Sequence, residues 1–420
     1  MNDMKRLTMI GAAVLSAAML LTACGDTAQE SATAETSAVS EAVSKAPETP
    51  EEFQAAMVSR SLYSLGNTSR LKAKLRQAQS GEEMTVAYIG GSITRGETAG
   101  AEGCYAKLSY NYIAEKYGTG DNVKYVNAGV SGTPSVLGNL RLQKDVLDYN
   151  ADIVFVEFAV NDAQDNTHKE SYESLVRTVL TQKNAPAVVL IFNRTANGYT
   201  AQEYMKEIGD YYFLPMISVA DALTPEFDEG RMTWEDYSDD QSHPNTEGHK
   251  LLCSFIENLL TEAENAPDEE YTLPPAYRFG YPFMDSQLVT PEAPTAELIS
   301  LTDTGSFEAV EQGATDFPTS WKLSEGTDPL KFKATASSVF VLFKRNNSDT
   351  MGSFDVYLNG AKVKTIHSNQ KDGWNEPYSE LAIKFQTIKD MDIEIRPAEG
   401  SEDKNITILG VAVAAQESAQ

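Results

Sequence analysis

Residues 84–96, MTVAYIGGSITRG, carry a run of mostly apolar residues into two glycines and a serine. The run Met84–Gly90 predicts a buried β-strand, because apolar residues dominate it and turn residues bound it. Gly90 and Gly91 suit a tight turn, and they equally suit a place where a substrate must approach the backbone closely. Ser92 is therefore either a turn residue or a nucleophile held at a strand end. Residues elsewhere in the sequence are needed to distinguish these two interpretations.

Strand-like and helix-like segments alternate from residue 84 onwards. Apolar runs of strand length fall at 84–90, 123–130, 151–160, 187–193 and 216–220, and helix-like segments fall at 103–117, 137–149, 172–184, 201–213 and 245–264. This alternation predicts an α/β domain in which helices cover both faces of a parallel sheet. Residues 51–83 are expected to be largely helical and to pack on the sheet or its edge.

Four short stretches with side chains that could take part in catalysis fall at strand ends or in loops of this domain. They are Ser92, NAGVSG (127–132), AVND (159–162) and DDQSHPNTEGH (239–249). Ligands of parallel α/β sheets bind beyond the carboxyl ends of the strands. We therefore expect the four stretches to meet along one edge of the sheet.

The residue types in these stretches match the needs of acyl transfer. A serine becomes a nucleophile when a nearby base removes its proton, and His243 is a candidate base in a loop before a helix. Asp240, three residues earlier, can turn back to hold the imidazole ring. Gly132 offers a backbone N–H and Asn161 a side-chain amide, and with the N–H of Ser92 they could bind a developing oxyanion.

In this order, the four stretches resemble the four sequence blocks of the SGNH, or GDSL-type, hydrolase superfamily. The resemblance implies a flavodoxin-like three-layer α/β/α sandwich that hydrolyses esters through an acyl-enzyme. It assigns Ser92 as the nucleophile and Asp240 with His243 as the acid–base pair. It assigns Ser92, Gly132 and Asn161 to the oxyanion hole, and it implies that no cofactor or metal is needed.

The resemblance covers about residues 84–262 and departs from the family pattern at two positions. The first block reads Gly90-Gly91-Ser92 where Gly-Asp-Ser is the commonest form, although GGSIT is familiar among bacterial members. The third block has Ala159 where glycine is usual. Neither departure removes an atom that the chemistry needs.

Other acids and histidines near the blocks allow alternative interpretations. Asp239 is an alternative to Asp240 as the orienting acid, although spacing in the loop favours Asp240. His249 lies inside the predicted final helix and is expected to be structural. His168 and His367 have no partners nearby in sequence and are expected at the surface.

Four residues are left with two interpretations each. Arg95 and Glu97 follow the nucleophile, and they either line the mouth of the site or form a salt-linked rim. Cys104 and Cys253 could pair in an exported protein, but the default expectation is two buried free thiols. No Cys/His cluster in the sequence has the spacing of a metal site.

The C-terminal part has a different pattern. Residues 266–296 are rich in proline and aromatic residues, which predicts a linker that lies along a surface. Residues 297–415 contain short alternating runs with turn residues between them, including Asn359-Gly360, and predict an all-β sandwich. This part resembles the jelly-roll or carbohydrate-binding modules found beside carbohydrate acetylesterases, which makes it a candidate carbohydrate-binding module. Trp374 and Trp321 are candidate sugar-stacking residues, and the turn-like context KDGWNEPY makes Trp374 the better candidate for glycan contact.

The N-terminus predicts export. Residues 1–23 have a basic start, an apolar run and a lipobox-like end, so they are interpreted as a lipoprotein signal peptide with lipidation at Cys24. Residues 24–50 are rich in Ala, Ser, Thr and Glu and predict a flexible stalk, which leaves residues 51–265 for the hydrolase domain. The expected location is extracellular, lipid-anchored to a bacterial membrane.

These expectations combine into one functional hypothesis. A net charge of −27 disfavours nucleic acid as a partner, and the lipid anchor is the expected route to the membrane. The hypothesis is a lipid-anchored extracellular serine esterase that deacetylates an O-acetylated polysaccharide or oligosaccharide. The alternatives are an O-acetyltransferase using the same triad and a non-catalytic glycan-binding lipoprotein.

Overall fold

Two β-sheets organise the protein, one mostly parallel and one antiparallel. The computed structural model describes residues 47–416, so the signal peptide at 1–23, Cys24 and most of the stalk at 24–50 lie outside the described residues. Within residues 47–416, no helix combines the length and the apolar character needed to cross a membrane.

The first sheet carries the sequence blocks at its edge. Its strands are β1 (Leu62–Ser64), β2 (Met84–Gly90), β3 (Val123–Gly129), β4 (Ile153–Glu157), β5 (Ala187–Phe192) and β6 (Met216–Ser218). They are ordered β1-β6-β5-β4-β2-β3, and all pairs are parallel except β1 with β6. The carboxyl ends of β2, β3, β4 and β5 therefore lie along the same edge.

Helices cover both faces of this sheet. They are α1 (Pro50–Ser61), α2 (Ser69–Gln79), α3 (Ser92–Arg95), α4 (Gly100–Gly103), α5 (Tyr105–Tyr117), α6 (Ser135–Asp145), α7 (Asn166–Leu180), α8 (Gln202–Tyr211), α9 (Val219–Asp228) and α10 (Thr246–Asn265). One apolar core joins a face of the sheet to α1, α2, α5, α9 and α10, and a second joins the other face to α6, α7 and α8. The predicted three-layer α/β/α architecture is confirmed.

The last strand of the sheet is shorter than the sequence predicts. The strand expected at 216–220 ends at Ser218, because the Ser218 hydroxyl accepts the N–H of Asp221 at 3.0 Å and so caps α9. Residues 51–83 are largely helical, as expected, and β1 adds an antiparallel edge strand beside β6.

The second sheet forms an antiparallel sandwich, as expected for the C-terminal part. Its strands are β7 (Gln287–Val289), β8 (Ile299–Asp303), β9 (Phe307–Val310), β10 (Ser320–Leu323), β11 (Leu330–Asn346), β12 (Ser353–Leu358), β13 (Ala361–His367), β14 (Trp374–Pro397) and β15 (Thr407–Ala414). The turn Asn359-Gly360 joins β12 to β13 with positive φ at both residues, 49° and 79°. This is the hairpin that the Asn-Gly pair predicts.

The segment between the two domains lies on the α/β domain. The carboxylate of Glu173 on α7 is fully buried, and it accepts backbone N–H groups from Arg278 at 2.6 Å and Gly280 at 2.8 Å. Phe283 packs edge to face on Phe340 of β11, with ring centroids 4.9 Å apart. The segment is thus fixed at both its α/β and its β-sandwich ends.

The sandwich packs on α6 of the α/β domain through a small apolar core. Leu137 and Leu140 of α6 belong to this core together with Phe283, Phe340 and Leu342. Because α6 follows the block at the end of β3, this contact brings the β-sandwich next to the edge that carries the polar blocks.

Candidate active site

The turn after β2 explains why two glycines precede Ser92. A Cβ atom on Gly90 would lie 2.1 Å from Thr94 Oγ1 and 2.5 Å from the carbonyl oxygen of Glu157. A Cβ atom on Gly91 would lie 2.4 Å from Asn161 Oδ1. The glycines are therefore required by close approach of neighbouring groups, and Ser92 begins the short helix α3 at the bottom of a cleft.

A continuous chain of hydrogen bonds joins Ser92 to an acid. Ser92 Oγ lies 2.8 Å from Nε2 of His243, and Nδ1 of the same ring lies 2.7 Å from Oδ2 of Asp240. These distances match a serine, a base and an orienting acid in a catalytic triad. The three predicted residues are brought together although Ser92 and His243 lie 151 positions apart in the chain.

The loop that carries the acid and the histidine is held by local hydrogen bonds. Oδ1 of Asp240 accepts the N–H groups of Ser242 and His243, both at 2.7 Å. The hydroxyl of Ser238 donates to the carbonyl of His243 at 2.6 Å. Asp239 points elsewhere, since its carboxylate accepts the side chain of Asn245 at 3.3 Å. Of the two candidate acids, Asp240 contacts the imidazole.

The electrostatics of the loop favour an ionised acid. Partial burial of Asp240 acts to raise its pKa, but the N–H donors of His243 and Ser242 and the imidazole of His243 outweigh it. The pKa of Asp240 is therefore lower than its ordinary value. A carboxylate that stays negative can hold the Nδ1 proton of His243, which leaves Nε2 free to accept the proton of Ser92.

Gly132 and Asn161 line the same cleft as Ser92. Gly132 has a φ of +72°, a conformation that glycine adopts without strain, and within residues 47–416 its N–H has no hydrogen-bond acceptor. The amide of Asn161 lies against Gly91, and its buried Oδ1 has no partner among the described residues. The predicted oxyanion donors are thus grouped around the serine and not used elsewhere.

Asp162 fixes the position of the Asn161 block. It is fully buried, and its carboxylate accepts the backbone N–H of Ser135 at 2.6 Å and the hydroxyl of Tyr204 at 2.6 Å. These bonds tie the end of β4 to α6 and α8. In the sequence, Asp162 is only one residue of the block. Its role in anchoring the block becomes visible only when the packing of β4, α6 and α8 is known.

We expect Asn161→Ala to lower kcat by about 10²–10³-fold, the usual loss for one side-chain donor of an oxyanion hole. KM should change little, because the donor acts mainly on charge that develops in the transition state. Steady-state kinetics with a p-nitrophenyl ester would measure both constants. A loss confined to KM would contradict the assignment.

A tryptophan from the β-sandwich completes the cleft. Trp374, at the start of β14, is 50% exposed, and its Cζ2 would lie 2.8 Å from a Cβ atom built on Gly132. Glu376 holds this residue, because its buried carboxylate accepts the Trp374 N–H and pairs with Arg345. Trp321 is 1% exposed and belongs to the sandwich core, so only one of the two candidate tryptophans reaches the cleft.

The rim of the cleft contains polar groups that the sequence did not single out. The cleft has a volume of about 780 Å³, and its other lining residues include Thr98, Ser131, Thr195, Asn197 and Gln241. Glu97 also lines it and accepts the hydroxyl of Ser131. Arg95 forms ion pairs with Glu97, at 3.6 Å, and with Asp316 of the β-sandwich, so this part of the rim is salt-linked.

The remaining histidines are not grouped with the triad. His249 is fully buried, its Nδ1 accepts the N–H of Tyr105 at 3.1 Å, and burial lowers its pKa to about 4. His168 is half-buried beside Asp165 at the start of α7, and the exposed His367 bonds to Ser353. The role of His249 is thus to pack against α5 as a neutral ring.

The two described cysteines are not joined by a disulfide. Cys104 and Cys253 are buried and free, as the default interpretation held. Within residues 47–416, no group of three or more His, Cys, Asp or Glu side chains is arranged to hold a metal ion.

Glu157 lies beneath the nucleophile turn and was missed by the sequence-based search. It is fully buried at the end of β4, its Oε2 lies 3.5 Å from Thr94 Oγ1, and its Oε1 has no hydrogen-bond partner. No basic side chain of the described chain pairs with it. Burial raises the pKa of Glu157 to about 7.

This shift predicts a loss of stability with rising pH. Native Glu157 keeps its proton to about pH 7, while the unfolded chain releases it near the ordinary pKa of 4.5. The native state therefore binds more protons in this window, and the free energy of unfolding should fall across it by up to about 3 kcal/mol. Glu157→Gln stays neutral, so its stability relative to the wild type should rise by that amount between pH 5 and pH 8 in urea unfolding.

A second buried acid, at the opposite end of β4, provides the control. Asp152, just before β4, is ion-paired with Lys74 at 2.8 Å. Asp152→Asn should destabilise the protein at both pH values, because it leaves a buried lysine without its partner. A Glu157→Gln difference that does not change between pH 5 and pH 8 would contradict the linkage.

Residues 88–251 match the GDSL-like Lipase/Acylhydrolase family. The chain therefore contains a GDSL-type esterase domain. The resemblance drawn from the four sequence blocks is thereby confirmed, and the match includes all four blocks. No curated protein sequence matches the esterase significantly.

Solved structures extend the similarity to both domains of the esterase. It resembles the crystal structure of a two-domain esterase, CEX, described as active on acetylated mannans, with 25% identity, a TM-score of 0.75 and coverage of 86% of this chain and 99% of that chain. A second CEX structure, co-crystallised with mannopentaose, has 25% identity, a TM-score of 0.74 and the same two coverages, 86% and 99%. The pairing of an α/β hydrolase domain with a β-sandwich is therefore shared with a known esterase.

Proposed function

We propose that this esterase removes O-acetyl groups from a polysaccharide or oligosaccharide by a Ser92–His243–Asp240 acyl-enzyme mechanism. The observation that carries the proposal is the unbroken hydrogen-bond chain from Ser92 Oγ to Asp240 Oδ2 at the bottom of an open cleft. A nucleophile and a base in hydrogen-bond contact, with the base oriented by an acid, are the parts that ester hydrolysis requires.

In the first half-reaction, Ser92 Oγ attacks the acetyl carbonyl carbon while Nε2 of His243 takes the hydroxyl proton. The carbonyl oxygen becomes an oxyanion, which the N–H groups of Ser92 and Gly132 and the amide of Asn161 stabilise. The intermediate collapses by breaking the bond to the sugar oxygen, and His243 donates its proton to that oxygen. The sugar leaves with a free hydroxyl, and the acetyl group stays on Ser92.

In the second half-reaction, water replaces the sugar. His243 removes a proton from the water as its oxygen attacks the acetyl carbon, and the same donors hold the oxyanion. The bond between the acetyl carbon and Ser92 Oγ then breaks, and His243 returns the proton to Oγ. Acetate leaves and the enzyme regains its starting state. Asp240 keeps the ring oriented throughout.

The β-sandwich supports a carbohydrate substrate. Trp374 presents an aromatic ring at the cleft above Gly132, and flat apolar rings suit the C–H face of a sugar. Hydroxyl and amide side chains such as Thr195 and Asn197 line the remaining wall, where they suit sugar hydroxyls. Because CEX is described as active on acetylated mannans, acetylated mannan is the first glycan to test, beside acidic acetylated glycans.

The proposal includes the location predicted from the N-terminus. We propose that the mature protein begins at Cys24, carries lipid there, and faces the outside of a bacterial cell. Metabolic labelling with a fatty acid should tag the wild type and not a Cys24→Ala variant, and unlabelled wild-type protein would contradict the anchor.

Acetate release tests the proposed reaction directly. The purified protein would be incubated with acetylated mannan, xylan, pectin and peptidoglycan beside a Ser92→Ala variant. Release by the wild type alone, from mannan or another single class, is the expected result. If none of the glycans releases acetate while p-nitrophenyl acetate is still cleaved, the triad assignment survives and the glycan proposal fails.

We expect Trp374→Ala to lower kcat/KM on an acetylated oligosaccharide by about tenfold, the order expected when one aromatic contact is lost. Hydrolysis of p-nitrophenyl acetate should change much less, because its small acyl group reaches Ser92 without sugar contacts. Trp374→Phe keeps a ring and should recover most of the loss. Equal losses on both substrates would indicate damage to the Gly132 turn instead.

A further inference from the structure

A second cleft, of about 300 Å³, opens on the β-sandwich. The two share one stretch of chain, since Trp374 lines the catalytic cleft and Asn375 lines the second one. Polar side chains line the second cleft, among them Lys322, Lys344, Asn346 and Asn405. We call it the lysine cleft.

The lysine cleft has an unusual charge for this protein. The chain carries a net charge of −27, yet two lysines and no carboxylate line this cleft. Lys322 donates to the amide oxygen of Gln312 at 3.1 Å, and its cross-strand neighbour Glu308 forms no ion pair with it within the described chain. Lys344 is half-buried and has no hydrogen-bond or ion-pair partner among residues 47–416.

The environment of Lys344 is unfavourable for a cation. Burial, and then the positive charge of Lys322, lower the pKa of Lys344. A half-buried ammonium group without a counter-charge costs free energy, and an anion bound in the cleft would offset that cost. The protein supplies no such anion in the part of the chain that is described, so the charge balance points to a ligand.

The uncharged groups of the lysine cleft also favour a ligand rich in acceptors. Asn346 uses its Oδ1 to accept the N–H of Ser348 at 2.7 Å, which leaves its NH₂ group free. The side-chain amides of Asn375 and Asn405 make no hydrogen bonds within the described chain. Two ammonium groups and three amides therefore converge on a space large enough for one sugar ring.

The lysine cleft is aligned with the domain interface. On β11, Phe340 and Leu342 point to the apolar core on α6, and Phe343 points to the core of the sandwich. Side chains of a strand alternate between its faces, so Lys344 lies on the same face as Leu342. Lys344 thus lies on the face of the sandwich that packs on α6, and Trp374 and Asn375 link the two clefts along the chain.

We propose that the lysine cleft binds the carboxylate of a uronic acid residue in the acetylated glycan, with Lys344 and Lys322 as the charged contacts. The inference rests on the proposed function, because it assumes that the catalytic cleft binds sugar. It adds that the substrate carries acidic residues near the acetylated one. Lysine and amide donors around a carboxylate make charge-assisted hydrogen bonds that a neutral sugar cannot make.

A matched pair of probes tests the inference without catalysis. Methyl glucuronide and methyl glucoside differ only by a carboxylate in place of a hydroxymethyl group, and each would be titrated by NMR into the full-length Ser92→Ala protein. The glucuronide should bind at least tenfold more tightly, and 0.5 M NaCl should remove most of that advantage. Equal binding of the two sugars, or binding of neither, would overturn the proposal.

Substitutions locate the site. Lys344→Gln and Lys322→Gln should each reduce the glucuronide preference about fivefold to tenfold. Lys333→Gln is the control and should leave the preference unchanged, because Lys333 is an exposed lysine on β11, the strand of Lys344, and is paired with Asp392 at 2.9 Å. Inorganic sulfate serves as a third probe. If sulfate binds and the glucuronide shows no preference over the glucoside, the cleft binds anions without recognising a sugar acid, and the proposal fails.

The two proposals fail in different ways. The sugar titration reports binding in a protein that cannot turn over, and acetate release by the wild type from neutral glycans reports the chemistry. An active enzyme that shows no glucuronide preference would refute the lysine cleft alone. A glucuronide preference without acetate release from any glycan would refute the proposed function and leave a carbohydrate-binding cleft.

Discussion

Ser92→Ala should abolish esterase activity, with kcat reduced by about 10⁶-fold, because no other group forms the covalent acyl-enzyme. Ser92 Oγ is the only described hydroxyl within hydrogen-bond distance of the imidazole of His243, at 2.8 Å. The residual rate should reflect direct attack of water on the bound ester, helped only by substrate binding and by the donors of the oxyanion hole. Release of p-nitrophenol from p-nitrophenyl acetate, followed over hours at high enzyme concentration, would measure the loss.

Thermal unfolding separates lost chemistry from lost structure. Removing one hydroxyl that bonds a partly exposed histidine should cost about 1 kcal/mol of stability. Mass spectrometry of the wild type with a slowly hydrolysed ester should show one acyl group on Ser92, and the alanine variant should show none. Acylation elsewhere in an active Ser92→Ala protein would refute the nucleophile assignment.

The acid–base pair could be predicted because it depends on local geometry. Asp240 and His243 are three residues apart in one turn, and Ser242 and His243 supply the N–H groups that hold the carboxylate. The contact between Ser92 and His243 spans 151 positions, yet parallel strands bring their carboxyl ends to one edge, so it too followed from the order of strands. Polar residues at the ends of predicted parallel strands carried most of the information.

The position of Trp374 could not be predicted in the same way. Its contact with Gly132 depends on how the sandwich packs on α6 through Phe340 and Leu342. The hydrophobic periodicity of each domain predicts its own strands and helices, but it does not predict how the two domains pack together. The turn-like sequence around Trp374 did indicate exposure. This context distinguished Trp374 from Trp321, whose side chain points from β10 into the core of the sandwich.

Glu157 shows a different limit of sequence reasoning. It lies in the apolar run at 151–160, where one acid among apolar residues does not by itself indicate a functional role. Only the structure shows that its carboxylate lies beneath Thr94 and so under the nucleophile turn. A buried acid inside an otherwise apolar strand that ends at a catalytic block is a signal that a search for such sites can use.

Asp240→Asn should lower kcat by about 10⁴-fold while preserving the loop. The asparagine oxygen can still accept the N–H groups of Ser242 and His243, but its NH₂ group then faces Nδ1 of the imidazole. The ring must accept that hydrogen bond at Nδ1 and carry its proton on Nε2, where it can no longer take the proton of Ser92. Asp239→Asn changes the same group one residue away and should alter kcat less than threefold, because the Asp239 carboxylate hydrogen-bonds only to Asn245 within residues 47–416. Comparable losses in the two variants would show that the loop needs negative charge in general and would refute Asp240 as the residue that sets the tautomer.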